Sequence, residues 1–266
     1  MTALTTPRPS AITETRNLGL LPGFGGLLRK ELTDWRRGRR TWVVLLVSGL
    51  FMALSALNSW LQSVLPADMT EGAEPPIFDP LVILMQSVSA QIFAVAAIFA
   101  VMGLLVGERE SGTLAWTASK PVSRSAIWLS KLVSSTAVLW VVAGLIPLAA
   151  TVALVLVLYG SLPLAPVLVV AIGTGMSILL FVAVALAAST VVTSQAAVAA
   201  IAIGVMFLPQ LIGMFVPAEF LPTSILGWSA MVAVGEPAGF IAPISWAVGV
   251  AALVAFGLWR IERLEL

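Results

Sequence analysis

The sequence predicts an all-α integral membrane protein with six transmembrane helices. Of its 266 residues, 59% are hydrophobic and only 10% are charged, whereas a soluble domain has roughly 25% charged residues. Its apolar runs are long enough to be membrane-spanning helices rather than barrel strands. All 14 Lys and Arg residues lie within residues 1–40, 107–131 or 260–263. Because cytoplasmic segments are enriched in basic residues, this distribution also predicts the orientation of the chain.

The N-terminal region is predicted to contain a tail and an amphipathic helix. Residues 1–22 lack the continuous apolar core of a signal peptide and are expected to form a flexible cytoplasmic tail. In residues 23–40 the apolar side chains share one helical stripe, which consists of Phe24, Leu27, Leu28, Leu32 and Trp35. Basic residues project opposite, as is typical of a helix lying in the membrane interface; a basic segment that only sets topology is the alternative. Glu31 falls inside the apolar stripe and therefore needs a cationic partner.

The remaining residues, 41–266, are predicted to form the transmembrane domain. Its six spans cover about residues 41–61, 81–106, 132–158, 164–188, 196–216 and 241–258. Pro147 predicts a kink in the third span. Residues 217–240 are apolar over too short a length to cross ~30 Å of hydrocarbon, so they predict a re-entrant or interfacial helical hairpin outside the cytoplasm. With six spans both termini lie in the cytoplasm, on the side of all the basic residues.

Several kinds of chemistry are excluded by missing residue types. The chain contains no Cys and no His, which excludes disulfides, thiolate metal sites and a histidine base. The predicted spans carry no ionisable group of the kind that proton- or sodium-driven transporters use. No GxxxxGK[ST] loop is present, so the chain is not expected to bind ATP in the usual way. We therefore predict a non-catalytic chain without a metal or cofactor of its own.

The loop at residues 107–131, GERESGTLAWTASKPVSRSAIWLSK, is the main polar interruption between the spans. It carries charges of both signs, whereas no charged residue occurs from Leu132 to Ala218. Gly112 allows a turn after the second span, Thr113 is a candidate cap for the segment after that turn, and Ser123 is a candidate cap for the next helix. These residues alone support two interpretations equally, a docking surface for a soluble partner and a solvated loop that only sets topology.

This loop resembles that of the type-2 ABC-transporter permease family, whose pattern is roughly E-x-E-x-G-T-L, a spacer, P-[VI]-S-R and a later Lys. The matching residues are Glu108, Glu110, Gly112, Thr113, Leu114, Pro121, Val122, Ser123, Arg124 and Lys131. The segment LLRKELTDWRRGRR, which includes Trp35, is similar to the elbow helix of that family, in which a basic residue followed by Glu recurs. Here that pair is Lys30-Glu31.

The resemblance implies that residues 107–131 form a coupling loop, with a coupling helix that inserts into a groove of a separate ATPase subunit. The coupling residues would be Glu108, Arg109, Glu110, Ser111, Gly112, Thr113, Leu114, Pro121, Arg124 and Lys131. It also implies two permease chains and two ATPase chains, with ATP and Mg bound by the ATPase. We further expect Glu31 to pair with a cation of the loop, namely Arg109, Arg124 or Lys131, and so to link the elbow helix to it.

The family pattern also implies a substrate path lined largely by the second and fifth spans. Candidate residues on that path are Gln86, Ser89, Phe93, Phe99, Met206 and Phe207. Mostly apolar walls of this kind suit a lipophilic or amphipathic cargo, although the same residues would equally suit a helix buried among its neighbours.

The function expected from the sequence is the permease subunit of an ABC exporter. One alternative is a membrane scaffold or sensor that the same type of ATPase drives without transport. Another is a stand-alone channel, for which the absence of charge along a pore leaves ion selectivity unexplained. Arg outnumbers Lys and Ala and Val are abundant, which indicates a GC-rich bacterial genome and hence the cytoplasmic (inner) membrane.

Overall fold

The computed structural model describes residues 21–64 and 92–264, and this part of the chain is all-helical. The helices are α1 Phe24–Arg37, α2 Arg39–Val64, α3 Ile92–Val101, α4 Gly103–Glu110, α5 Thr113–Ala118, α6 Arg124–Leu139, α7 Ile146–Tyr159, α8 Leu164–Ser189, α9 Gln195–Ile212, α10 Ile225–Ala233 and α11 Ile241–Glu262. Nearly all of the predicted tail at residues 1–22 lies outside the described residues, as do the acidic loop after α2 and the predicted start of the second span at residue 81.

Five helical stretches of the described chain are long and apolar enough to cross a membrane. They are Arg39–Asn58, Ile92–Glu110, Arg124–Val157, Leu164–Ser189 and Ile241–Glu262. The predicted span at residues 196–216 corresponds to α9, which ends at Ile212 and contains Pro209. Its apolar part, Gln195–Pro209, is shorter than the other five. The described residues therefore give five candidate spans where the sequence predicted six.

Pro147 distorts the long helix that contains it. A π-helical segment, Trp140–Leu145, joins α6 to α7, and Pro147 is the second residue of α7. Proline has no amide hydrogen to donate, and its ring crowds the carbonyl four residues earlier. Local π turns are one of the adjustments by which membrane helices accommodate this. At the position of the predicted kink the structure thus has a π-helical segment that ends two residues before the proline.

Helix α8 lies at the centre of the described bundle. It packs against α3, α6, α9, α10 and α11, and its second half is buried almost without interruption. Two of its glycines admit side chains from neighbouring segments. A Cβ atom on Gly173 would lie 2.2 Å from Ser229 Oγ of α10, and one on Gly175 would lie 2.8 Å from Trp140 Nε1. Small residues in α8 therefore permit the close packing around it.

Residues 217–240 form short elements that lie against α8 and α11. Two 3-10 turns, Ala218–Phe220 and Pro222–Ser224, precede α10. Ser245 Oγ of α11 donates to Phe220 O at 2.6 Å, and Gly249 of α11 makes room for the ring of Pro222. Because α10 is only nine residues long, about 14 Å, it is too short to cross a bilayer.

Candidate functional site

Lys131 of α6 connects three helices through buried charges. Although it is only 1% exposed, its Nζ atom donates to Glu31 Oε1 of α1 at 2.9 Å and to Glu108 Oε1 of α4 at 2.8 Å. Lys30 Nζ lies 3.5 Å from Glu31 Oε1 and 3.6 Å from Glu108 Oε1, so two ammonium groups meet two carboxylates. We call Lys30, Glu31, Glu108 and Lys131 the ion cluster. Buried charges are stable only when they are paired and hydrogen-bonded, as they are here.

The ion cluster explains the carboxylate in the apolar stripe of α1. Glu31 is 4% exposed and finds its cation in Lys131, one of the three residues that the sequence offered as partners. Trp35, one turn further along, is fully buried on the same face, and the guanidinium of Arg40 lies 4.4 Å from the centre of its ring. This face of α1 packs against α6, whereas Leu32 of the predicted stripe is exposed.

Lys30 lies at the more exposed side of the cluster. Burial lowers the pKa of Lys30, but the nearby charges of Glu31, Glu108 and Asp34 together outweigh this effect and raise the pKa above its ordinary value. The ammonium group of Lys30 consequently stays protonated throughout the physiological range.

The other two cations offered to Glu31 instead contact the ends of membrane helices. Arg109 Nη1 donates to Ser189 O and Val192 O, both at 3.4 Å, at the C-terminus of α8. Arg124 Nη1 donates to Glu262 O at 3.0 Å and to Leu264 O at 2.7 Å, at the C-terminus of α11. The last carbonyl groups of a helix lack partners within it and form the negative end of its dipole, so an arginine stabilises them.

The start of α1 contacts the loop directly. Gly23 has a φ of 82°, and a Cβ atom at this position would lie 2.3 Å from Val122 Cγ1. Ser123 N donates to Pro22 O at 3.2 Å. Helix α1 is therefore joined to the loop at residues 107–131 by its first residues as well as by Glu31. Nothing in the sequence pattern marked Gly23, because its role depends on a residue one hundred positions away.

The short helix α5 lies in the middle of the loop. One of its large apolar side chains is buried and the other is exposed. Gly112 precedes it with a φ of 71°, a conformation that glycine adopts readily. Leu114 is buried, whereas Trp116 is 65% exposed and has Lys120 Nζ 3.6 Å from its ring centre. Glu110, Ser111 and Pro121 are exposed as well.

Of the two predicted helix caps in the loop, one is confirmed and one is wrong. Ser123 Oγ accepts a hydrogen bond from Ala126 N at 3.1 Å and caps α6. Thr113 does not cap α5, because Gly112 occupies the cap position and Thr113 is already the first helical residue. Its hydroxyl group instead donates to Glu108 O at 3.3 Å, at the end of α4.

The candidate path residues differ in their exposure. Phe93 and Met206 are buried in the core, whereas Phe99 and Phe207 are about half exposed. Gln86 and Ser89 lie outside the described residues. Two cavities open between α8 and the segments after it, and none of these four described residues lines either one. Neighbouring positions of a helix point about 100° apart, which separates Met206 from Phe207.

The glycines of α4 accommodate a side chain that no sequence pattern singled out. A Cβ atom on Gly103 would lie 2.9 Å from Gln195 Oε1, and one on Gly107 would lie 3.9 Å from Gln195 Nε2. Small residues one turn apart permit close helix contact, and this pair admits the first residue of α9. No group of three or more Asp or Glu residues in the described ranges is placed to hold a metal ion.

Comparison with known protein families places these features in context. A family model described as "ABC-2 family transporter protein" matches residues 26–247. The matched stretch includes the whole ion cluster, the loop at residues 107–131 and every described helix from α2 to α10. The comparison with curated proteins found no match.

Proposed function

The chain belongs to the ABC-2 transporter family, and from this premise we propose that it is the permease subunit of an ATP-driven exporter. Membrane subunits of this family are generally non-catalytic and work with an ABC ATPase. The observation that best supports the proposal is that α5 is exposed while charged residues on either side of it contact α1, α8 and α11.

The proposed docking surface consists of the exposed residues on and around α5. Trp116 offers a large aromatic surface, and Glu110, Ser111 and Pro121 flank it. Exposed aromatic side chains are frequent at the centres of protein interfaces. Glu108, Arg109, Arg124 and Lys131, by contrast, already have partners inside the chain. In this proposal the first group contacts the ATPase and the second group carries its movement inward.

Movement of α5 would reach the bundle along defined contacts. The ion cluster links α4 and α6 to α1, Arg109 links α4 to α8, and Arg124 links α6 to α11. A packed helical bundle transmits displacement because its elements shift as rigid bodies. Closure of two ATPase chains on ATP would therefore displace several helices of the permease together.

The complete assembly that we propose has two permease chains and two ATPase chains in the cytoplasmic membrane of a bacterium. ATP and Mg are bound by the ATPase chains. Helix α9 serves as a sixth span, so that both termini and the coupling loop lie in the cytoplasm. A scaffold or sensor would use the same contacts without moving a substrate, and transport by the reconstituted complex distinguishes the two.

The docking surface is tested by Trp116→Ala. The variant should insert and fold normally but lose most of its association with the ATPase and its stimulation of ATP hydrolysis, because the removed ring is exposed. Buried interface aromatics typically contribute about 2 kcal/mol or more, roughly a thirtyfold change in affinity. Association is measured by co-purification from the native membrane and by titration of the purified ATPase.

Trp259→Ala is the matched control. Trp259 is also about half exposed, and Arg263 lies 4.3 Å from its ring centre, so it repeats the arrangement of Trp116 and Lys120 at the end of α11. Its replacement should leave association with the ATPase unchanged. Equal effects of the two substitutions, or an unchanged affinity in Trp116→Ala, would remove α5 as the docking surface.

A further inference from the structure

The larger of the two cavities lies far along α8 from the residues that Arg109 contacts. It has a volume of about 550 Å³ and is bounded by the start of α8, the 3-10 turns, α10 and the start of α11. Val170 of α8 lines it, whereas Arg109 contacts Ser189 at the other end of the same helix. Nineteen helical residues correspond to about 28 Å. We call this space the head cavity.

The polar groups of the head cavity leave one hydroxyl without a partner. Ser224 Oγ and Ser229 Oγ donate to carbonyl groups in their own turns, and Trp228 Nε1 donates to Gly239 O at 2.8 Å. Thr223 Oγ1, in contrast, is inaccessible to solvent and has no hydrogen-bond partner among the described residues. An unpartnered buried hydroxyl is unfavourable, and a rotation of the Thr223 side chain toward the cavity would let a bound molecule supply the missing bond.

The charge on the described walls of the head cavity is negative. Glu219 is the one ionisable residue among the described residues that line it, and Glu219 is exposed. No Lys or Arg occurs in the sequence between Lys131 and Arg260, so the cavity walls offer no positive charge to an anion. Trp228 adds an aromatic surface whose N–H is already used, and such a surface attracts cations. A positively charged group is therefore the favoured occupant.

The second cavity is apolar and adjoins the first. It has a volume of about 450 Å³ and lies between α8, α9, α11 and the turn that contains Pro222. On α8 it is lined at helical spacing by Leu180, Val184, Ala187 and Ala188, a stripe about 12 Å long, and Val191 continues the wall just after the helix ends. Thr223 lines both cavities, so they meet at the residue with the unpartnered hydroxyl. We call this space the tail groove.

We propose that the head cavity and the tail groove together bind one lipid-like amphiphile from the bilayer, with a cationic head and a single hydrocarbon tail. The head lies beside Glu219 and Trp228, a rotation of the Thr223 side chain brings its hydroxyl to the polar linkage next to the head, and the tail lies between α8, α9 and α11. Both volumes are in the range of about 300–1,000 Å³ found for small-molecule sites. This site belongs to a single chain and does not depend on the proposed ATPase partner.

The test uses the purified full-length chain in phosphatidylcholine nanodiscs. The probe is hexadecyltrimethylammonium with a photoreactive diazirine near the end of its tail, and the comparison probe is the uncharged alcohol with the same tail. Photolabelling should concentrate on the residues of the tail groove in α9 and α11, such as Ile201 and Leu253. Loss of one exposed ion pair weakens binding by about fivefold, so the alcohol should label about fivefold less, and high salt should reduce the difference.

Variants of the chain test whether a cationic amphiphile, rather than bulk lipid or a second copy of the chain, occupies the two spaces. Glu219→Gln should reduce labelling by the cationic probe to the level of the alcohol, and Ala188→Trp should abolish labelling by filling the groove. Glu236→Gln, which removes an exposed carboxylate that does not line the cavity, should change nothing. Equal labelling by both probes would mean that bulk lipid fills the groove, and tail-groove crosslinks between two copies of the chain would mean that a second copy does. Either result, or unchanged labelling in Glu219→Gln, overturns the proposal.

Discussion

Lys131 is the residue on which the contact between α1 and the loop at residues 107–131 depends most. It is buried and satisfies two carboxylates from different helices, at 2.9 Å and 2.8 Å. Glu31 has a second cation nearby in Lys30, but that lysine is half exposed and lies 3.5 Å away. Removal of Lys131 would therefore leave Glu31 buried beside a weaker partner, whereas removal of Glu31 would leave Lys131 still paired with Glu108.

This asymmetry predicts an order of stability among variants. Lys131→Gln should lower the free energy of unfolding by about 3 kcal/mol, the range for an uncompensated buried charge. Glu31→Gln should lower it by only about 1 kcal/mol, comparable to one lost hydrogen bond. Thermal unfolding of the purified chain in mild detergent gives the order.

The control for this prediction is Lys120→Gln, a change to an exposed lysine of the same loop, which should shift stability by less than about 0.5 kcal/mol. The double variant Glu31→Gln/Lys131→Gln should cost less than the sum of the single variants, because the two residues are in contact. Additive effects, or a greater loss for Glu31→Gln than for Lys131→Gln, would contradict the proposed role of the lysine.

The sequence could identify Glu31 as a residue in need of a cation but could not choose among the candidates. Arg109, Arg124 and Lys131 all belong to one loop, and each has the right charge. In the folded chain the two arginines donate to carbonyl groups at the ends of α8 and α11, so Lys131 is the cation left to pair with Glu31. Those helix ends are distant in sequence, so only the folded chain brings them to the loop.

At the scale of helices, the contact between α1 and the loop begins at Gly23. Its φ of 82° and the approach of Val122 leave no room for a side chain. Gly23→Ala should therefore destabilise the chain by about 1–2 kcal/mol from the backbone conformation alone, and by more through the contact with Val122. The measurement is again thermal unfolding in detergent.

Gly25→Ala gives the matched comparison two residues further on. Nothing lies within 4 Å of a Cβ atom at Gly25, and alanine in a helix is favoured over glycine by about 0.5–1 kcal/mol. This variant should be as stable as the parent or more so. Adding Val122→Ala to Gly23→Ala should recover only part of the loss, since the backbone conformation remains unfavourable. A Gly23→Ala variant as stable as Gly25→Ala would show that α1 does not need this contact.

Helices that face lipid were predictable because composition and length are enough to identify them. Four spans, and the described part of a fifth, lie where hydropathy placed them, since the bilayer imposes the same requirement on each. The π turn before Pro147 and the entry of Gln195 between the glycines of α4 were not predictable in detail, because they depend on contacts between helices. The head cavity has no sequence pattern either, as it forms between segments that are individually ordinary.

For the whole molecule, the number of spans decides which side of the membrane each segment faces. All the basic residues occur in the N-terminal segment, the loop at residues 107–131 and the C-terminal segment. Because basic segments favour the cytoplasmic side, this distribution favours an even number of spans, which puts all three segments on that side. Helix α9 is the element in question. Its apolar part, Gln195–Pro209, covers about 22 Å, which is less than the ~30 Å of a typical hydrocarbon core. A helix of that length can cross where the bilayer thins locally, at a modest energetic cost.

Single-cysteine labelling tests whether α9 crosses, and the chain is well suited to it because its sequence contains no cysteine. Thr193→Cys and Glu236→Cys place exposed thiols before and after α9. If α9 crosses, a membrane-impermeant maleimide should label Glu236→Cys in intact cells but label Thr193→Cys only after permeabilisation. If Thr193→Cys and Glu236→Cys label together, α9 does not cross. The C-terminal arginines would then lie outside the cytoplasm, against the charge distribution that supports six spans.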